Sequence, residues 1–168
     1  MSQVSFENRT VIVTGAGNGL GKAYALDLGL RGAKVVVNDL GGAVDGSGSG
    51  STPADEVVNE IIANGGEAVA NYDSVATKEG GASIVQTAID NFGTVDAVIN
   101  NAGILRDKSF ANMSEEELSL IIDVHLKGTF FVSQSAFKVM KENAYGRIVN
   151  VASPSGLFGN RSEEHTSE

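Results

Sequence analysis

The sequence contains no cysteine and no tryptophan, and only 2 of its 168 residues are proline. The absence of cysteine excludes a disulfide scaffold, a thiolate metal site and a cysteine nucleophile, and it suits a reducing compartment. No apolar run is long enough to cross a membrane. The first nine residues also lack the apolar core of a secretory signal. These absences predict a soluble intracellular protein without membrane contact, with the cytoplasm as the default compartment.

Basic residues are scarce relative to acidic ones, with 12 Lys and Arg against 21 Asp and Glu, so the formal net charge is −9. Such a chain repels phosphate backbones, and we therefore expect no nucleic-acid partner. Glycine, in contrast, occurs 21 times, well above the average of about 7% of residues. Part of this excess stands at turns where the backbone must approach another group closely.

Short β-branched runs alternate with segments of helical apolar spacing along the chain. The runs predict five strands, at 10–14, 33–37, 67–72, 95–99 and 147–151. Since no hairpin signal separates them, the crossovers predict parallel strands with helices on both faces. This is an α/β fold, a Rossmann-like doubly wound parallel sheet, which binds ligands at the carboxyl ends of its strands.

Two further segments carry structural predictions. Residues 41–52 are rich in Gly and Ser and predict a flexible loop. Ser114 and Glu117 form a capping-box pattern that predicts one long amphipathic helix, whose apolar stripe continues as far as Met140.

The first predicted strand ends in the glycine-rich string TGAGNGLG at 14–21, directly before a helix. Backbone N–H groups at a helix N-terminus hold a pyrophosphate when no Cβ blocks its approach, so this context favours dinucleotide binding over an ordinary tight turn. Asp39 ends the second strand, 24 residues after Gly15. A carboxylate there accepts hydrogen bonds from ribose hydroxyls and repels a 2′-phosphate, which favours NAD over NADP. The alternative for Asp39 is a solvated loop residue.

Two further strings are NNAG at 100–103 and GRIVNVAS at 146–153. With these strings, the glycine-rich loop and Asp39, the chain resembles the short-chain dehydrogenase/reductase family. The resemblance extends over residues 5–160. The strings NDLGG at 38–42 and ANYDSV at 70–75 are similar to one branch of the family. That branch comprises the (3R)-hydroxyacyl-CoA dehydrogenase domains of multifunctional enzymes of type 2 and their bacterial relatives.

The resemblance implies a set of cofactor-binding residues for NAD. The residues that would surround the pyrophosphate are Gly15, Asn18, Gly19, Leu20 and Gly21. Asp39 would hold the adenosine ribose, and Asp73 and Ser74 would lie at the edge of the adenine. Asn100, Ala102 and Gly103 would line the cofactor after strand four. For Asp73 a helix cap is the alternative, and Asn101 is expected to brace the sheet rather than to contact the ligand.

The resemblance also implies catalytic residues. Ser153 matches the serine that hydrogen-bonds the substrate carbonyl or hydroxyl, although a serine after a strand is usually only a turn residue. His125 stands where most of the family has an asparagine of a proton relay; the branch carries His there, and a structural role is the alternative. No metal site is expected, because His125 and His165 lack a neighbouring ligand cluster.

The family's catalytic Tyr would fall at position 166, thirteen residues after Ser153, but that position is Thr, and no Lys follows it. Residues 161–168 contain no apolar side chain and resemble a translated sequencing adapter. We therefore expect residues 1–160 to be the N-terminal part of one NAD-binding domain, with the first five of about seven strands, and 161–168 to be an artefactual tail. A divergent C-terminus is the alternative. Strand five is expected to be an exposed edge rich in β-branched residues.

The expected function is that of an oxidoreductase, which interconverts a hydroxyl and a carbonyl by hydride transfer with NAD. Branch resemblance implies a 3-hydroxyacyl-CoA substrate, hence fatty acid metabolism, a homo-oligomeric full-length protein and, in a eukaryote, a peroxisomal location. The 168-residue chain itself is expected to be inactive. The alternatives are a dehydrogenase of another alcohol or ketone, such as a steroid or polyol, a non-catalytic NAD-binding module and, less well supported by these strings, a methyltransferase.

Overall fold

The computed structural model describes residues 4–42, 52–106 and 108–153. Its strands are β1 Thr10–Thr14, β2 Lys34–Asn38, β3 Glu67–Asn71, β4 Ala97–Asn100 and β5 Arg147–Asn150. Its α-helices are α1 Gly19–Leu30, α2 Thr52–Ala63, α3 Lys78–Phe92, α4 Glu115–Ile122 and α5 Thr129–Glu142. The predicted strands are confirmed to within two residues at each end, whereas most of the loop predicted at 41–52 and the tail predicted at 161–168 lie outside the described residues.

The five strands form one parallel sheet in the order β3-β2-β1-β4-β5. In its register, Thr14 pairs with Asn38, and Asn38 in turn pairs with Asn71. The carboxyl ends of the three strands therefore lie side by side. Because the order reverses direction between β1 and β4, a crevice opens where the loops after these strands diverge. The doubly wound α/β fold is thus confirmed.

Both faces of the central strands are buried, so apolar residues follow one another there instead of alternating with polar ones. Val11 and Val13 of β1 face a core shared with α1 and α2. Ile12 of the same strand faces the second core, which contains side chains of α3 and α5. Among the described residues, no helix is long and apolar enough to cross a membrane.

The single long helix predicted from Ser114 onward is wrong in its middle. The capping box is present, since the Ser114 side chain accepts a hydrogen bond from the Glu117 N–H and the Glu117 carboxylate accepts one from the Ser114 N–H. However, a π-helical segment, Asp123–Gly128, separates α4 from α5. A π turn is wider than an α turn and shifts the helical phase, a change that apolar spacing does not reveal.

The phase change divides the predicted apolar stripe. Of the stripe residues in α5, Val132, Ala136 and Met140 are buried but Phe137 is exposed, as are Leu118 and Ile122 of α4. Leu126, Phe130 and Phe137 are also exposed and continue this surface along the helix. Strand β5 lies at the end of the described sheet with all four residues exposed, as expected of an edge strand.

Candidate functional site

The loop between β1 and α1 is held against the loop that follows β4. Gly15 has a φ of +61°, which favours glycine, and a Cβ on it would lie 2.8 Å from the Cα of Ala102. Thr14, which sequence analysis did not single out, accepts hydrogen bonds at Oγ1 from the N–H groups of Asn101 and Ala102, at 3.1 and 3.0 Å. The two loops therefore form one rigid unit at the carboxyl edge of the sheet.

Asn101 braces this unit, as predicted. Its Nδ2 donates to the carbonyl oxygens of Thr14 and Gly15, both at 3.0 Å. Gly21, in the first turn of α1, packs so closely on the carbonyl of Gly15 that any Cβ would overlap it. The glycine spacing thus lets the start of α1 lie directly beneath the loop, with its N–H groups available for an anion.

Asp39, which follows β2, is half-buried and is hydrogen-bonded to the glycine loop. Its Oδ2 accepts a hydrogen bond from Gly17 N–H and its Oδ1 accepts one from Gly41 N–H, both at 2.7 Å. Each carboxylate oxygen keeps a further lone pair for a ligand hydroxyl. Pro53 at the start of α2 closes the other side, since a Cβ on Gly17 would lie 2.7 Å from that of Pro53.

A cavity lies in the crevice between these loops, with a wall that is largely apolar. Its lining residues are Gly15, Asn38, Leu40, Gly42, Asp73, Ser74, Val75, Ala102, Gly103, Ile104 and Val124. Five of them were predicted from the sequence to bind the cofactor. Of the other predicted residues, Asn18, Gly19 and Leu20 are exposed at the start of α1.

Asp73 and Ser74 lie just after β3 and, with Asn38, are the polar side chains in the lining of the cavity. Asp73 Oδ2 accepts hydrogen bonds from Asn71 Nδ2 at 2.8 Å and from Ser83 Oγ at 2.7 Å. The helix-cap alternative for Asp73 is wrong, because Thr77 caps α3 by accepting a bond from Gly80 N–H. Ser74 Oγ accepts a bond from Ala76 N–H at 3.2 Å, which stabilises the turn.

Asn100 is placed differently from the other residues of the NNAG string. It is only 5% exposed, and its Nδ2 donates to Ser133 Oγ and Asn150 Oδ1, both at 2.9 Å. It does not line the cavity. Asn100 therefore joins β4 to β5 and α5, while Ala102 and Gly103 of the same string form the cavity wall.

His125 lies in the π-helical segment, and its ring contacts the backbone of Ile104 in the cavity wall. Its Nε2 is 3.1 Å from Ile104 N and 2.9 Å from Ile104 O. A Cβ on Gly103 would lie 2.7 Å from the His125 ring, so the ring packs directly on that glycine. Ser153 is exposed and lies three residues beyond the end of β5.

Hydrogen bonds shift the pKa values of Tyr72 and Glu117. Tyr72 donates a hydrogen bond to the Asp55 carboxylate, and this bond, together with partial burial and the negative charge, raises the pKa of the Tyr72 phenol. The pKa of Glu117 is lowered by its hydrogen bonds to Lys108 and to the Ser114 backbone. Within the described ranges, no three His, Asp or Glu side chains are grouped to hold a metal ion.

The fold and the crevice define a Rossmann-type α/β protein with a cavity at the point where the strand order reverses. The family model for short chain dehydrogenases matches residues 9–164. The chain therefore belongs to the short-chain dehydrogenase/reductase family, as the sequence motifs implied.

Individual proteins show the same relationship. The chain is 59% identical over 157 residues to the peroxisomal hydratase-dehydrogenase-epimerase of Saccharomyces cerevisiae, covering 94% of the chain and 17% of that protein. It is 55% identical over 159 residues to the mouse peroxisomal multifunctional enzyme type 2, covering 95% and 21%. The chain thus spans about a fifth of the length of these relatives, and the resemblance to their branch is confirmed.

Among solved structures, a 7α-hydroxysteroid dehydrogenase complexed with NADH and 7-oxo glycochenodeoxycholic acid superposes with a TM-score of 0.84 at 29% identity. The match covers 97% of this chain and 59% of that one.

Proposed function

We propose that the chain is the cofactor-binding part of an NAD-dependent oxidoreductase that interconverts a hydroxyl and a carbonyl group. The observation that carries this proposal is the hydrogen-bonded contact between the Asp39 carboxylate and the glycine loop, next to the cavity. A carboxylate at that position suits the free ribose hydroxyls of NAD and opposes the 2′-phosphate of NADP. When bound, the nicotinamide ring supplies or accepts the hydride.

Residues of the first loop would hold the pyrophosphate: Gly15 and Gly21 allow the loop and the start of α1 to pack closely, and a Cβ at Gly19 would meet nothing within 4 Å. Ala102 and Gly103 would lie against the cofactor at the cavity wall. Asp73 and Ser74 would lie at the edge of the adenine. The buried position of Asn100 supports an indirect role, in which it fixes β4 beside β5.

Ser153 would hydrogen-bond the substrate oxygen that becomes the carbonyl or hydroxyl. His125 is proposed as the second catalytic candidate; its contact with Ile104 supports a role in shaping the wall beside the reacting groups. The Tyr of the family's proton transfer would fall at position 166, where this sequence has Thr. We therefore propose that the 168-residue chain does not transfer hydride by itself.

The proposed substrate is a 3-hydroxyacyl-CoA, which rests on the resemblance of NDLGG and ANYDSV to the multifunctional branch and on the similarity to its members. The structural likeness to a hydroxysteroid dehydrogenase favours a steroid as the second candidate. The names of the peroxisomal relatives favour that compartment for a eukaryotic source. The exposed apolar surface of Leu126, Phe130 and Phe137 supports a homo-oligomer.

The test is hydride transfer by the full-length protein, followed by nicotinamide absorbance with NAD and a 3-hydroxyacyl-CoA. Ser153→Ala should lower kcat by about 100- to 1,000-fold, the range for loss of one donor to a reacting oxygen. Ser109→Ala, also on a loop after a strand, is the matched control and should keep full activity. Equal rates for wild type and Ser153→Ala would refute the role of Ser153. Turnover with steroids but not with a 3-hydroxyacyl-CoA would show that the proposed substrate is wrong and that the second candidate is right.

A further inference from the structure

Asn71, the last residue of β3, is the centre of a polar network that the proposed cofactor site does not otherwise use. It is 6% exposed. Its Oδ1 accepts hydrogen bonds from Asn38 Nδ2 at 2.8 Å and from Asp73 N–H at 3.0 Å. Its Nδ2 donates to Asp73 Oδ2 at 2.8 Å and to Thr87 Oγ1 at 2.9 Å. The amide thus uses both donors and both acceptor positions.

The direction of each bond is fixed by the neighbours. Thr87 Oγ1 donates its proton to Ser83 O at 3.0 Å, so towards Asn71 it can only accept. The Asp73 backbone N–H can only donate, which places Asn71 Oδ1 on that side. A reversed amide would set donor against donor at Asp73 N–H, and Asn71 therefore has one favourable orientation.

This network determines the position of the Asp73 carboxylate. Two donors, Asn71 Nδ2 and Ser83 Oγ, hold Oδ2. Asn38 Nδ2 also donates to the Asp73 backbone carbonyl at 2.9 Å, so both the backbone and the side chain of Asp73 are fixed. In the part of the chain that the structure describes, no bond is made to Oδ1. Since Asp73 lines the cavity, Oδ1 keeps its acceptor capacity for a ligand there.

We propose that Asn71 is a positioning residue, which holds Asp73 so that Oδ1 accepts a hydrogen bond from the exocyclic amino group of adenine. The site then selects adenine over a purine with a carbonyl at the same position, because a carbonyl oxygen would face the carboxylate. This inference rests on the proposed binding of NAD. It assigns to Asn71 a role in base selectivity in addition to its role in joining β2, β3 and α3.

The test compares NAD with nicotinamide hypoxanthine dinucleotide, which has a carbonyl oxygen in place of the amino group. Dissociation constants are measured for the full-length protein by isothermal titration calorimetry. A charge-assisted hydrogen bond predicts that the wild type binds NAD about 10- to 150-fold more tightly. In Asn71→Ala this preference should fall to less than about threefold, because the carboxylate loses its fixed position.

Two variants separate positioning from general loss of structure. Thr87→Val removes one partner of Asn71 without contacting Asp73, and it should lower the unfolding temperature while keeping the preference. Ser83→Ala removes the second donor to Asp73 Oδ2 from an exposed helix position and should reduce the preference partly. If Asn71→Ala does not fold, Ser83→Ala decides the matter, because its side chain lies at the surface.

The inference is refuted when the wild type binds NAD and nicotinamide hypoxanthine dinucleotide equally well. It is also refuted when Asn71→Ala and Ser83→Ala keep the full preference for NAD. An equal loss in Thr87→Val would also refute it, since the effect would then follow stability. A wild type that binds neither dinucleotide would overturn the proposed function itself, a result distinct from the three outcomes above.

Discussion

Replacing Asp39 with alanine is expected to weaken the binding of NAD far more than that of NADP. The carboxylate has two roles that the structure separates. It orders the loops by accepting hydrogen bonds from Gly17 and Gly41, and it offers its remaining lone pairs to the ribose. The first role affects both dinucleotides alike, whereas the second depends on the group at the ribose 2′ position.

The magnitude follows from these bonds. Loss of a charge-assisted bond to the ribose costs about 1.5–3 kcal/mol, or about 10- to 150-fold in the Kd for NAD. NADP makes no such bond at its 2′-phosphate, and removal of the carboxylate relieves a repulsion of about 1 kcal/mol per pair of unit charges at 4 Å in water. That relief offsets the cost of the disordered loop, so the Kd for NADP should change by less than about fivefold.

Isothermal titration calorimetry with NAD and NADP measures both constants in the full-length protein. Asp55→Asn is the matched control: it removes one negative charge at the first turn of α2 without contacting the glycine loop. Its ratio of the two constants should equal that of the wild type. An equal weakening of both dinucleotides by Asp39→Ala would show that Asp39 only orders the loop, and the ribose assignment would be wrong.

Two further predictions concern stability. Asp96→Ala leaves the buried Thr10 N–H without its acceptor. It should lower the free energy of unfolding, measured in urea, by about 1–3 kcal/mol. The control Asp27→Ala removes an exposed ion pair and should lower it by less than about 0.5 kcal/mol; equal effects of the two variants would contradict this prediction. The pKa of Tyr72 is raised above 10.0 by its bond to Asp55, so the folded state keeps this proton longer than the unfolded chain, and the resulting stability is complete below pH 10 and lost as the pH rises through the folded pKa. Tyr72→Phe should therefore show a shallower fall in stability above about pH 10, and identical pH profiles would refute the coupling.

The sheet could be predicted from the sequence because its strands are short and largely apolar, and because glycine-containing turn signals separate the elements. Residues 10–14 are buried on both faces and end at Gly15, a combination that leaves little choice of structure. The glycine loop and Asp39 could likewise be predicted, since their role depends on spacing along the chain and on the position of strand ends.

The polar contacts across strands could not be predicted in the same way. No local pattern identifies the partners of these side chains: the Asn38–Asn71 and Thr14–Asn101 bonds depend on which strands are neighbours, and the Ser83–Asp73 bond depends on the packing of α3. The π-helical segment around His125 was missed for a related reason: one widened turn leaves the apolar spacing almost unchanged, although it alters which side chains are buried. Features that depend on long-range pairing are thus the ones that only the structure reveals.

The two edges of the sheet use polar residues in opposite ways, and this difference locates the site. At the amino edge Asp96 accepts from Arg9 and from Thr10 N–H, while the Arg9 guanidinium also stacks over the Tyr145 ring at 3.9 Å. Those groups use one another as partners, which is what stability alone requires. At the carboxyl edge the bonds instead join neighbouring loops and fix Asp39 beside a cavity and Asp73 in its wall, with acceptor capacity left over. Unused acceptors on immobilised carboxylates contribute nothing to folding, and so a ligand that donates hydrogen bonds is the economical explanation for their arrangement.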